Sequence, residues 1–343
     1  MSKKNLALLL ISLLIIGLLA GCGGGQQNGN DAAPSGNQDK GGTITIKVGH
    51  VLAPTHPYTL GLQKFAELVD EKTDGKIKVE VFHSSQLGNE RDMVEALQLG
   101  TQEMTLVSTA PLASFTKQFL VFDLPFVFKD TESARKVLDS ELGQGLLNSL
   151  ESQGIMGLCY FENGFRHVTN SKHPINKPED LKGIKIRTME NPIHMATFKV
   201  MGADPTPMAF GELFTALQQK TIDAQENPLP IIETSKFYEV QEYLSLTGHF
   251  YAPAPLLISK SFFEGLAPEL QAALKEAAIE ARDYERGLLD DMNAKLVEEL
   301  KEKGMKVNEP DKTLFVEAVQ SVYKQFESDI TPELIQKVVD AQK

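Results

Sequence analysis

The chain has 343 residues, a formal net charge of −12 at pH 7 and only two cysteines. This acidity argues against a nucleic-acid partner and against general attraction to anionic lipid, both of which need a surplus of Lys and Arg. Two cysteines exclude a disulfide framework.

Lys3 and Lys4 precede an apolar run, Leu6 to Leu19, that is too short to span a bilayer comfortably and reads as a targeting segment. It ends in Leu19-Ala20-Gly21-Cys22, which resembles a bacterial lipobox. That resemblance implies a signal peptide over residues 1–21, cleavage before Cys22, and lipid attached to that cysteine. The alternative is an uncleaved anchor or a plain signal peptide. Residues 22–42 are rich in Gly, Gln, Asn, Ser and Asp, with no apolar pattern, and read as a flexible tether. The anchor would place the protein outside the cytoplasm on a bacterial membrane, without saying which one.

The roughly three hundred residues that remain suffice for two lobes with separate cores. Ile44, Ile46 and Val48 alternate with polar residues and predict a first strand ending at His50. Leu62, Phe65, Leu68 and Val69 give helical spacing from Pro57 to Lys72, stopped near Gly75. Ile77, Val79 and Val81 predict a second strand, and Asn89 suits the cap of a helix running to Gly100. This order implies a sheet covered by helices, an α/β fold. Cys159, in the apolar run Gly157 to Phe161, reads as a core thiol. Pro268 to Lys303 has helical spacing with no internal proline and would extend about 54 Å, long enough to lie across two lobes unless it breaks near Gly287.

Ile184-Lys-Ile-Arg187 reads as a short half-buried strand with a guanidinium at its carboxyl end. In open α/β sheets ligands bind outside the carboxyl ends of strands, and the planar Arg fork suits a carboxylate. An ordinary surface salt bridge fits the same position. Several phrases in order, Ser84 to Arg91, Leu181 to Arg187, Gly202 to Gln219, Ile222 to Pro228 and Phe237 to Val240, closely resemble the DctP-like solute-binding proteins of tripartite ATP-independent periplasmic (TRAP) transporters. The resemblance runs from near Ile46 to the end of the chain.

It implies a two-lobed fold like that of type II periplasmic binding proteins, with a hinge and a long helix bridging both lobes. Residues 43–163 with 253–292 would form the first lobe, and 164–252 with 293–343 the second. It implies further that Arg187 pairs with a ligand carboxylate, that Asn227 helps hold it, and that Arg166 supplies a second ligand-facing guanidinium. Asn227 also fits a turn before Pro228. His167 points away from Arg166 if the segment is extended. His50 would read the distal part of the ligand, or else bond local backbone. Glu90 would accept from ligand hydroxyls, or else stabilise a helix start. Ser108 and Thr109 offer hydroxyls near the same cleft, and Phe210 corresponds to an aromatic that packs on the ligand. Glu190 stands where some relatives have Asn, which argues against sialic acid.

No nucleophile elbow, zinc-protease helix, phosphate loop or dinucleotide fingerprint is present, and the seven histidines lack metal-ligand spacing. A catalytic role, a cofactor and a metal are therefore not expected. The expected function is a monomeric receptor that hands an organic acid to a TRAP membrane permease. A carboxylate at Glu90 would repel a second ligand anion, which favours a sugar acid such as a uronate or aldonate. C4-dicarboxylates, small hydroxy or keto acids, and presentation of ligand to a sensor kinase are the alternatives.

Overall fold

The computed structural model describes residues 42–343. The leader, Cys22 and the tether up to residue 41 lie outside the described residues. Nine strands among the described residues join into one mixed sheet: β1 (Ile44–Gly49), β2 (Ile77–Phe82), β3 (Met104–Leu106), β4 (Ile155–Asn170), β5 (Lys185–Thr188), β6 (Asp204–Pro207), β7 (Ala224–Asn227), β8 (Tyr243–Ser259) and β9 (Lys306–Asn308). Their order is β2-β1-β3-β8-β4-β7-β5-β6, with β9 on β8. β1, β2 and β3 are mutually parallel, as are β5, β6 and β7, which is what helical crossovers between successive strands produce.

Two lobes arise because only β4 and β8 run through both halves of this sheet. Their antiparallel ladder extends from Ile155 opposite Ser259 to Asn170 opposite Tyr243. β3 pairs only with Leu256–Ile258 at the far end of β8, whereas β7 pairs with residues 167–170 at the far end of β4. Along its length the ladder slips out of register at Gly157/Cys159, Glu162/Gly164 and Arg166/Val168, and at the middle slip Gly164 takes φ +99°, a conformation that costs a glycine little.

The helix over Pro57–Lys72 begins with proline in its first turn, and the His56 ring accepts from the Tyr58 amide at 3.1 Å. Its stripe of Leu62, Phe65 and Val69 is wholly buried, as are Ile46 and Val48 of the adjacent β1. The expected cap at Asn89 is present as a reciprocal box with Asp92, opening the helix Glu90–Leu99.

The helix Pro268–Glu302 is continuous over 35 residues, about 52 Å, with no break at Gly287. It packs on Pro57–Lys72 and β4 in one lobe and on Leu229–Thr234 and β9 in the other. It is fastened beside the middle slip in the ladder, where Glu285 accepts from the Glu162 amide and Arg286 donates to the Tyr160 carbonyl. Burial, reinforced by Glu162, pushes the Glu285 carboxyl well above the carboxylate range. Cys159 is a buried thiol donating to the Ala278 carbonyl of the same helix. The C-terminal helices add a second strap: Tyr323 donates to the Pro125 carbonyl, Lys117 pairs with Asp329, and Gln342 bonds Val127 and Lys129.

Gly61 lets the long helix approach. A Cβ there would stand 2.9 Å from both Glu285 Cβ and Phe161 Cε1. Gly61→Val is therefore expected to destabilise the protein by about 1–3 kcal/mol through overpacking. A urea midpoint equal to that of the parent chain would show the two helices are not in this contact.

Candidate ligand-binding site

Two small adjoining chambers lie where the lobes meet, sharing Glu90, Arg187, Met189 and Phe210 as common wall. Arg187 reaches them from the end of β5, with Thr188 and Met189 following it. Arg166 reaches the larger chamber from β4, and Asn227 from the end of β7.

The two guanidiniums are both nearly inaccessible yet differently placed. Arg166 is 1 % exposed and grips Glu226 with two bonds, Nε to Oε2 at 2.5 Å and Nη2 to Oε1 at 2.7 Å. Its Nη2 also donates to the Glu226 carbonyl and to Asn227 Oδ1. Burial alone would raise the Glu226 carboxyl, but Arg166, with a further bond to His249, holds it far below the usual range. Burial lowers the pKa of His249, offset in part by its bond to Glu226.

Arg187, 2 % exposed, donates from Nε to the Met208 carbonyl at 2.9 Å, and its buried Nη1 has no partner. No carboxylate lies within salt-bridge distance of it among the described residues. Burial, only partly offset by Glu226, lowers its pKa to about 10, so it remains a cation at pH 7. A buried cation without a counter-ion is costly unless an anion joins it, and one open edge of a planar fork suits a carboxylate.

Asn227 is held from both ends, its Oδ1 accepting from Arg166 and its Nδ2 donating to Gln225 Oε1 at 2.5 Å. Gln225 in turn donates to Thr169 Oγ1. The second hydrogen of Nδ2 is left over. Glu90, buried at the start of its helix, accepts from the Ser108 amide at 2.7 Å. Burial raises its pKa despite that bond. Phe210 opens the helix Phe210–Gln218, sets its ring edge-on against Phe237 and lines both chambers. Glu190 is exposed and lines only the smaller one.

Two expected ligand readers do not reach either chamber. The His50 ring is occupied locally, accepting from the Leu52 amide at 3.2 Å and bonding Thr59 Oγ1 at 3.1 Å. His50 follows the end of β1, and its ring lies beside Tyr58 with its bonds directed to Leu52 and Thr59. Thr109 is wholly buried outside the lining, while its neighbour Ser108 faces the larger chamber. His167 points away from the cleft and accepts from the Gly248 amide. Sequence reasoning missed Tyr58 and Asn163 in the lining and Glu226 as the partner of Arg166. Only the last had a visible signal, a carboxylate directly before Asn227.

Burial and the nearby His83 push His50 down to about 3, from an ordinary 6.5. Between those values the unfolded chain binds a proton that the folded chain does not, so stability rises with pH and is lost as pH falls. His50→Asn should flatten the dependence of the urea midpoint on pH between 6.5 and 4, by up to about 1.4 kcal/mol per unit. An unaltered slope would mean the ring titrates normally.

A family model for bacterial extracellular solute-binding protein, family 7 (DctP), matches residues 48–329. The 2,3-diketo-L-gulonate-binding periplasmic protein YiaO of Escherichia coli is 41 % identical over 276 residues, covering 80 % of this chain and 84 % of that protein. A TRAP periplasmic solute-binding protein from Polaromonas sp. JS666, bound to D-erythronate, superposes with a TM-score of 0.85 at 43 % identity, covering 86 % of this chain and 98 % of that one. The sugar-acid-binding protein DctPAm of Advenella mimigardefordensis, in complex with galactonate, gives 0.85 at 41 % identity, covering 88 % and 98 %. C4-dicarboxylate-binding proteins also fall among the relatives. With the match spanning both lobes and every strand that carries the cleft, the chain belongs to the DctP family of extracytoplasmic TRAP-transporter solute-binding proteins.

Proposed function

We propose that this receptor captures a sugar acid between its lobes and delivers it to a TRAP membrane permease. The observation that carries the reading is Arg187, a buried cation whose Nη1 has no partner, facing a chamber whose other walls are rich in hydrogen-bond acceptors. One end of the ligand is then a carboxylate on Arg187 and Asn227, with Arg166 holding Asn227 in place. The other end carries hydroxyls, because Glu90 accepts donors and disfavours a second anion. The names of YiaO and of the erythronate- and galactonate-bound relatives support this choice over a dicarboxylate.

The lobes divide at the middle slip of the β4–β8 ladder, with residues 43–163 and 253–292 on one side and 164–252 and 293–343 on the other. Closure about that line excludes water from Arg187. The C-terminal strap to residues 117–129 crosses the same division and moves with it. The protein acts as a monomer, held to its membrane by lipid on Cys22.

A panel of D-erythronate, D-galactonate, D-glucuronate and succinate, followed by thermal shift and calorimetry, tests the choice, since a ligand of the folded state raises its apparent stability. Arg187→Lys keeps the charge but loses the fork, and should weaken the best-bound acid by at least about 2 kcal/mol. Wild-type affinity in that variant would remove Arg187 from the site, and tight succinate binding with no sugar-acid signal would overturn the substrate class.

Anchoring is separable from ligand chemistry. Cys22→Ser should move the protein from the membrane fraction to the soluble fraction and leave its affinity for the acid unchanged. Retention of the variant on membranes would show that the apolar leader remains attached.

A further inference from the structure

We infer that Asn163 and Tyr58 read the hydroxyls of the bound acid and set the preference for polyhydroxylated over plain carboxylates. The inference rests on the sugar-acid reading above and adds two residues to it. Asn163 lies on β4 at the middle slip, between the lobes, and is 1 % exposed. Its Nδ2 donates to Ser108 Oγ at 2.8 Å, which turns the amide so that Oδ1 faces away from Ser108. That Oδ1 is buried and has no protein partner. Tyr58, in the first turn of the helix Pro57–Lys72, is likewise 1 % exposed with a buried, unpartnered hydroxyl.

Both residues line the chamber that Arg187 and Asn227 line. Among the lining residues, the buried polar atoms without a protein partner are thus a donor on Arg187, an acceptor on Asn163 and a hydroxyl on Tyr58. A buried polar atom left without a partner is a penalty in the folded state, and a ligand that supplies the missing partner relieves it. The donor calls for a carboxylate oxygen. The amide oxygen has no hydrogen to give and calls for a ligand O–H, while the phenol accepts or donates.

Asn163, Ser108 and Glu90 also form one hydrogen-bonded wall, since the Ser108 amide donates to Glu90 and its hydroxyl accepts from Asn163. The wall is preorganised without the ligand and presents acceptors along its length. A second ligand carboxylate meets oxygen against oxygen there, so Asn163 adds to the exclusion of dicarboxylates that Glu90 begins. A site built to bond a hydroxyl discriminates strongly against the analogue that lacks it, because the site's own polar groups are then left unpaired.

The test compares matched pairs, D-erythronate with butyrate and D-galactonate with hexanoate, by calorimetry on the full-length chain. The parent should prefer the hydroxylated member of at least one pair by about a hundredfold or more. In Asn163→Leu that ratio should fall at least about tenfold, through lost affinity for the hydroxylated acid with none lost for the plain one. Tyr58→Phe, which removes only the hydroxyl, should shift the ratio the same way and serves if Asn163→Leu fails to fold. Variants with the parent's ligand-free melting temperature and a ratio within twofold of the parent's would overturn the inference and leave the sugar-acid reading intact. A parent protein that binds neither hydroxylated acid would instead overturn that reading and this inference with it.

Discussion

The pairing of β4 with β8 is the constraint on which the remaining architecture depends. These two strands are 16 and 17 residues long, about three times the usual length, and no other pair of strands connects the lobes. A ladder that long keeps both halves of the sheet in one hydrogen-bonded frame, while its middle slip at Glu162/Gly164 provides a place to bend. The polar groups in and behind the cleft then follow from position along the frame. Asn163 and Arg166 stand on β4 at and just beyond the slip, and Glu226 and Asn227 stand on β7 beside it. The long helix Pro268–Glu302 lies over the same point, so the backbone there is braced by Arg286 and Glu285.

Within that frame, two arginines buried to the same degree serve different ends. Arg166 is neutralised by Glu226 and spends its fork on positioning, steering Asn227 and tying β4 to β7. Breaking such a pair leaves an uncompensated buried charge, which makes it a rigid fixture, while Arg166 still lines the larger chamber. Arg187 has only a backbone carbonyl for company, and the nearest carboxylates influence it through space without reaching salt-bridge distance. The site therefore keeps one net positive charge for its ligand and arranges oxygen acceptors on the opposing wall. That asymmetry of donor and acceptor orients an acid bearing hydroxyls and works against an acid that is charged at both ends.

Much of this was readable from residues alone. Alternation at Ile44, Ile46 and Val48, the cap at Asn89 and the uninterrupted stripe from Pro268 produced elements within one or two residues of those observed. These features are local, and their periods survive without knowledge of what packs on them. The guanidinium at the end of β5 was likewise visible, because a strand followed by a turn and a helix puts its last residues at a sheet edge where ligands bind. Ordered phrases shared with the family supplied Asn227, Glu90 and Phe210, and the wider resemblance supplied Arg166, all of which line the cleft.

Other parts of the site were settled only in three dimensions. His50 and Thr109 sit next to lining residues Val51 and Ser108 in the loops that follow β1 and β3, and the path of each loop decides which member of each pair lines the chamber. Whether Arg166 is free or bound depends on β4 lying antiparallel to β7 with Val168 opposite Glu226, a register across some sixty residues of chain. Tyr58 and Asn163 carry no motif, and their role comes from helix, strand and loop converging on one chamber. The sequence by itself determined the elements, the class of fold and the arginine at the end of β5, because each depends on neighbours along the chain. Only the tertiary structure decided which buried polar atoms are already satisfied and which still need a partner, because those partners come from strands and helices distant in sequence.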